Sequence, residues 1–467
     1  MLLSRRRNRK NQRYLGKSLY PMDRKIILLA AVLLAGTYLR AQTAAVFLLD
    51  SLLTHFNAND KFIGAVQLQS AGNVVYSAHR GQGNGQENVG PDSRYRVGSV
   101  SKLFTAVMVM QEVEKGRLSL DGRLAAFFPQ IPGADSIRIR QLLNHSSGLT
   151  NFTDDPAYLS YMTQPMTQAQ LLDTFLRMGS SFQPGSRHQY SNTNFVLLGY
   201  ILERVTGKRY EDLLQKRIVR PLRMTATAYN PKQSKQAGEA ISFFRGMEQT
   251  WEPAPISHPS IPHGAGGIVS TPADLCLFIE GLFGGKLVSE ASLKEMTRMQ
   301  EGFGLGIFKF PFYDTYAYGH GGRIDGFETN LAYFPESETA VAVCASGVGV
   351  DLNDLMIGIL SCWYGKPYDF PVFDRPAVVV PLEELRRYTG NYVSEQLPLQ
   401  ITVRLEGQQL MAQASGQSAF PLKPLGAGVF EFEPARIVME FKELAGEHGR
   451  QSFTLVQSGM RFLYKKQ

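Results

Sequence analysis

Apolar and polar positions along this chain alternate with two different periods. Ala44–Phe56 repeats its apolar residues at helical spacing and predicts an amphipathic helix. Phe62–Gln69 and Asn73–His79 read as two strands around a Ser-Ala-Gly-Asn turn, and Tyr95–Val97 as a third, short one. The run Leu103 to Val113 is helix-length and apolar nearly all round, which predicts a helix buried in the core. Ile139–His145, Met166–Met178 and Phe195–Val205 follow as helices, with His145-Ser146-Ser147-Gly148-Leu149 as a helix end carrying a glycine stop. Residues 218–262 are irregular and proline-rich, with a hairpin expected around Ile241–Trp251 as a rim or lid. Gly264-Ala265-Gly266-Gly267 permits a close backbone approach, and Thr271-Pro272-Ala273-Asp274 is a helix start with Thr as cap. Strands Glu328–Phe334 and Thr339–Cys344 and a helix Asp351–Trp363 close this part.

After Pro367 the texture changes. Pro371, Pro376 and Pro381 mark a linker. Short candidate strands follow near Asn391, Gln400, Leu410, Phe420, Val429, Val438, Phe453 and Arg461. Such even spacing predicts an antiparallel barrel or sandwich. The expected division is therefore 1–42, 43–366 and 367–467.

The net charge of +8 changes this picture little. Residues 1–42 carry ten Lys/Arg and one acid, leaving 39 basic and 40 acidic residues in the rest. The body is near neutral, so nothing global points to nucleic acid. The basic start and the apolar run Ile26–Leu39 read as a secretory signal peptide, with Met1 or Met22 as the true start. Left uncleaved, the same segment is an N-terminal membrane anchor. Cys276, Cys344 and Cys362 each sit in apolar surroundings and read as core residues, not as a disulfide framework or metal set.

Three stretches carry candidate chemistry. Val97-Gly98-Ser99-Val100-Ser101-Lys102 places a hydroxyl and an amine three residues apart where the core helix begins. Positions i and i+3 share a helix face, so Lys102 can reach the Ser99 oxygen. Backbone N–H groups at a helix start favour developing negative charge. A hydroxyl, a base and oxyanion donors are what an acyl-transfer nucleophile needs. The plainer reading makes Ser99 an N-cap and Lys102 a solvated first-turn residue, so partners elsewhere must decide. In His188-Gln189-Tyr190-Ser191-Asn192, Tyr190 can pass a proton if a cation lowers its pKa, and Asn192 suits a peptide-like ligand. Alternatively, these residues only cap and pack the helix that follows. In Tyr318-Gly319-His320-Gly321-Gly322-Arg323, glycines around a histidine suit a ligand lying against a strand, or an ordinary histidine beside a bulge.

Ser-x-x-Lys at 99–102, Tyr-x-Asn at 190–192 and His-x-Gly at 320–322, in this order, resemble the serine β-lactamase and penicillin-binding superfamily. The likeness is to the branch of class C β-lactamases, D,D-carboxypeptidases, D-aminopeptidases and esterases. The flanks Ile139-Arg140-Gln141-Leu142-Leu143-Asn144-His145-Ser146-Ser147-Gly148-Leu149 and Gly266-Gly267-Ile268-Val269-Ser270-Thr271 match it too. The resemblance implies an α/β (α+β) fold: an antiparallel sheet flanked by helices, beside a helical region. It makes Ser99 the acylated nucleophile, with Lys102 and Tyr190 sharing the proton transfers in an order left open. It gives Asn192 to the substrate amide, and it places His320 and Gly322 along the site on an edge strand. The N–H groups of Ser99 and Arg323 would form the oxyanion hole. Neither metal nor cofactor is implied; the partner is a small-molecule or peptide substrate. Many members have lysine where this chain has His320, and a histidine is mostly neutral at pH 7. Strand alternation can also turn Arg323 away from His320. A peptidase, amidase or esterase is expected before a penicillinase or a non-turnover penicillin-binding receptor.

Overall fold

A computed structural model describes residues 42–467 except 84–86, 230–237, 246–249, 374–376, 427, 433–434, 436, 444–450 and 458–459. The apolar run Ile26–Leu39 and its basic flank lie outside the described residues.

Helix α1 covers residues 42–58. Its buried positions Ala45, Leu49, Leu52, Leu53 and Phe56 recur at helical spacing. Strands β1 (Phe62–Ser70) and β2 (Asn73–Arg80) join β3 (Phe308–Phe312), β4 (Thr315–Ile324), β5 (Phe327–Phe334) and β6 (Thr339–Val348) in one antiparallel sheet. The order is β3-β4-β5-β6-β1-β2. The neighbouring strands β1 and β6 therefore come from opposite ends of this region. Val66, Leu68, Val341 and Val343 face a core shared with α1 and α5 (Leu352–Tyr364). Ile63, Ala65, Ala342 and Cys344 face the other core, where α4 (Pro272–Phe283) packs. Helices on both faces explain why these strands read as nearly continuous apolar runs instead of alternating ones.

Helix α2 (Ser101–Glu114) is preceded by the 3-10 turn Gly98–Val100 and is buried from Ser101 through Glu112. It is the core helix that its apolar sequence predicts. Helix α3 (Asn192–Thr206) starts earlier than expected, because Ser191 stays extended at φ −145° and brings Asn192 into the first turn. The short helix Ile139–Leu143 is not stopped by glycine. His145, at φ 60°, makes the left-handed turn after the cap residue Asn144. Gly148 serves a different need: a Cβ there would lie 2.1 Å from the Phe182 carbonyl oxygen. Thr271 caps α4 as expected, accepting from the Asp274 N–H at 3.2 Å.

The third motif lies inside β4, and β4 is not an edge strand. β3 flanks it, but only over Thr315–Gly319. Residues 320–324 run past the end of β3, so that side of β4 is open only there. The hairpin Phe243–Arg245 with Trp251–Pro253 is tied to the β4–β5 turn and to Asp60. The Trp251 Nε1–H donates to Asp60 at 2.5 Å, and the Ser242 hydroxyl donates to the Asp325 carbonyl in the β4–β5 turn.

The C-terminal strands run from Gly390–Val393 to Met460–Lys466 and close into an eight-stranded barrel in chain order. Pairing of Tyr392 with Lys466 closes it, which decides barrel over sandwich. Tyr392, Leu410, Ala412, Leu422, Phe430, Phe453 and Tyr464 fill its interior. Among the described residues, the three cysteines are free and buried, no group of His, Cys, Asp and Glu could hold a metal, and no helix is long and apolar enough to cross a membrane.

Candidate active site

The three stretches meet where the starts of α2 and α3 face the open end of β4. Two glycines make the approach to β4 feasible. A Cβ on Gly322 would lie 2.1 Å from the Val97 carbonyl oxygen and 3.0 Å from the Ser99 nitrogen. A Cβ on Gly98, which sits at φ +50°, would lie 2.9 Å from the Arg323 nitrogen. The serine turn thus rests directly on the strand, with the Ser99 and Arg323 N–H groups close together. Ser99 caps no helix; neither the turn nor α2 has a side-chain cap.

Lys102 is completely buried. Its Nζ lies 2.9 Å from Ser99 Oγ, 2.7 Å from Asn192 Oδ1 and 2.8 Å from the Ala265 carbonyl oxygen. Among the described residues, no carboxylate pairs with it. Burial holds its pKa well below the usual amine range, which favours the neutral form. The Asn192 and Ala265 oxygens carry no hydrogens, so they take the two N–H groups of a neutral amine. The remaining electron pair then faces the Ser99 hydroxyl.

The Tyr190 ring centroid lies 4.9 Å from Lys102 Nζ. Burial pushes the phenol above its ordinary range, and the hydrogen bond with Ser99 opposes this only partly. The lowering by a cation that the sequence reading required does not occur here, because the cation in question is itself driven toward neutrality. The Tyr190 phenol is therefore held in its protonated form.

Asn192 is engaged by the protein on every side. Its Oδ1 accepts from Lys102, and its amide hydrogens go to Asn151 Oδ1 at 3.1 Å and Thr153 Oγ1 at 3.2 Å. His320 is 3% exposed and packs edge-on against Phe308 at 4.9 Å. Its Nδ1–H donates to the Gly321 carbonyl. Burial above all pushes its pKa down to about 3, so the ring is neutral at pH 7. Arg323 points to the other face of β4, is 68% exposed, and pairs with Glu328 at 3.2 Å. Its backbone is at the site and its charge is not.

Sequence reasoning assigned no role to His145 or Ala265. The His145 ring stacks on Tyr190 at 4.4 Å, and its Nδ1 accepts from the Ser191 N–H at 3.1 Å. The matched flank around residue 145 was the available signal. Ala265 acts through its carbonyl, which leaves no mark in a sequence beyond the glycines around it.

A serine hydroxyl, a buried amine that favours its neutral form and a protonated phenol, on a sheet flanked by helices, mark a serine hydrolase. The chain belongs to the Beta-lactamase family, whose sequence model matches residues 49–355. It is similar to penicillin-binding protein 4* of Bacillus subtilis (strain 168), at 24% identity over 88% of this chain and 96% of that one. It also resembles the crystal structure of a D-stereospecific amidohydrolase from Streptomyces sp., with TM-score 0.59 and 27% identity over 69% of this chain and 97% of that one. The fold is shared with the octameric penicillin-binding protein homologue from Pyrococcus abyssi, with TM-score 0.63 and 24% identity, over 90% of this chain and 99% of that one.

Proposed function

We propose that the protein is an exported hydrolase that forms an acyl-enzyme on Ser99 with small amides or peptides containing D-residues, or with esters. The observation that carries this is the set of partners around Lys102: the Ser99, Asn192 and Ala265 oxygens all lie within 2.9 Å of its Nζ, so an amine that gives two N–H groups to Asn192 and Ala265 keeps an electron pair for the serine hydroxyl. Lys102 takes the Ser99 proton as Oγ bonds to the substrate carbonyl carbon. The oxygen that gains charge faces the Ser99 and Arg323 N–H groups. When the carbon–nitrogen or carbon–oxygen bond breaks, the leaving group takes the Tyr190 proton, and Lys102 returns its own proton to Tyr190. Water repeats the sequence in reverse on the ester formed, releasing the acid and restoring Ser99. Asn192 holds Lys102 in place, and the open stretch of β4 offers its backbone to an extended substrate.

The charge pattern narrows the substrate. His320 is neutral and Arg323 faces away, so neither motif residue offers a cation to a free carboxylate. Amides and esters fit such a site better than carboxylate-bearing β-lactams. The similarity to a D-stereospecific amidohydrolase supports D-configured amides. Export rests on the basic and apolar N-terminal segment, which would anchor the chain to the membrane if left uncleaved.

Purified protein should be assayed with D-amino-acid amides, p-nitrophenyl esters and nitrocefin, alongside Ser99→Ala. Turnover of amides or esters that Ser99→Ala abolishes while its fold persists supports the proposal. Undiminished turnover by Ser99→Ala refutes it. Efficient nitrocefin hydrolysis would make the protein a β-lactamase, and a lasting penicillin adduct without turnover of any ester would make it a receptor.

A further inference from the structure

Behind the catalytic lysine lies a buried histidine that the steps above do not use. His263 opens the short helical turn His263–Gly266, is 5% exposed, and holds a left-handed φ of 34°. Such a conformation is unfavourable outside glycine and persists only where surroundings enforce it. The surroundings here are specific. From α3, Glu203 places Oε2 3.6 Å from Nε2, and the Tyr200 ring packs at 4.7 Å. The Tyr229 hydroxyl lies 3.1 Å from Nδ1, and the Tyr210 ring packs at 5.1 Å. Room for the imidazole comes from Gly199 on α3, where a Cβ would stand 3.0 Å from both Cδ2 and Nε2.

The peptide that follows His263 runs along α2. The Gly264 carbonyl accepts from the Thr105 hydroxyl at 2.6 Å, and the Ala265 carbonyl accepts from Lys102 Nζ at 2.8 Å. The Thr105 hydroxyl is also 2.6 Å from that of Tyr210, which ties the ring cage back to α2. α3 therefore governs both acceptors of the lysine. Its first turn carries Asn192, and a later turn carries Glu203 and Tyr200, which hold the histidine that leads into Ala265.

We propose that His263 is a positioning residue: clamped between Glu203 and Tyr229, it holds the left-handed turn that aims the Ala265 carbonyl at Lys102, and so directs the electron pair of the amine at Ser99. The inference rests on Lys102 being the base. His263 itself touches none of the reacting atoms.

The test compares wild type with His263→Asn, Tyr229→Phe and Glu203→Gln. Asparagine accepts a left-handed backbone but lacks the ring, and Tyr229→Phe removes only the hydroxyl at Nδ1 and keeps the packing. The readouts are the rate of Ser99 labelling by a fluorophosphonate, kcat and KM for a p-nitrophenyl ester against pH, and the thermal midpoint. The expected result for His263→Asn is a labelling rate and kcat at least tenfold lower, with KM within about twofold. The acid limb of kcat/KM, which reports the base, is displaced by half a pH unit or more. Tyr229→Phe shows the same pattern at about threefold and carries the test if His263→Asn does not fold. An unmoved acid limb in every folded variant, with kcat falling only in step with the thermal midpoint, overturns the proposal and leaves a structural histidine. If wild type is not labelled at Ser99 at all, the hydrolase reading fails first, and that outcome is distinct from normal labelling in all three variants.

Discussion

Burial sets the charge state of His320, and acid unfolding can read it. The folded chain keeps this ring neutral, with a pKa pushed down to about 3, whereas the unfolded chain protonates it near 6.5. A folded-state pKa below the unfolded one means that the unfolded chain binds the proton first as pH falls. Stability is then present above about pH 6.5, is lost progressively toward pH 3, and is level below that. Between pH 7.0 and 4.5 the expected loss from this one group is about 2.5 kcal/mol. His320→Gln removes the titration while keeping a polar side chain of similar reach. Urea unfolding of both proteins at the two pH values should therefore show the variant losing about 2.5 kcal/mol less than wild type, whatever its starting stability. His145, whose pKa is also held well below normal by burial, is present in both chains, so most of its own contribution cancels. Equal losses within about 0.5 kcal/mol would refute the reasoning. His320 would then be charged or solvated in the folded protein, and a substrate carboxylate would have a partner after all.

Other outcomes follow from the same geometry. Lys102→Met should reduce ester turnover by at least about a thousandfold. Because burial depresses the amine pKa, wild-type stability rises with pH up to the unfolded value near 10.4, and the variant should flatten that rise in unfolding experiments at pH 8 and 10. Gly322→Ala drives a methyl group to 2.1 Å from the Val97 carbonyl, so it should displace the serine turn, cost about 3 kcal/mol or more in urea unfolding, and lower kcat/KM over a hundredfold. Arg323→Ala removes a side chain that faces away from the site. It should leave kcat/KM for a neutral ester within about threefold and stability within about 1 kcal/mol, the range of an exposed ion pair.

Much of the fold was legible along the chain because the relevant signals are local. The buried helix α2, the cap at Thr271 and the eight C-terminal strands follow from period, composition and turn residues. Errors fell where a distant segment overrides a local preference. His145 makes the left-handed turn assigned to glycine, while its ring stacks on Tyr190. β4 gains a neighbour in β3, which the glycine-rich motif itself does not reveal.

By itself, the amino-acid order determined which groups are available: a hydroxyl and an amine one turn apart, a tyrosine and an asparagine opening a second helix, and a histidine among glycines. It could not say what charge they carry. That depends on desolvation and on acceptors far away in the chain, and only the packed structure brings the Ala265 carbonyl and Asn192 onto Lys102, buries His320, and turns Arg323 outward. Protonation is a property of surroundings, and the surroundings of this lysine come from three separate parts of the chain.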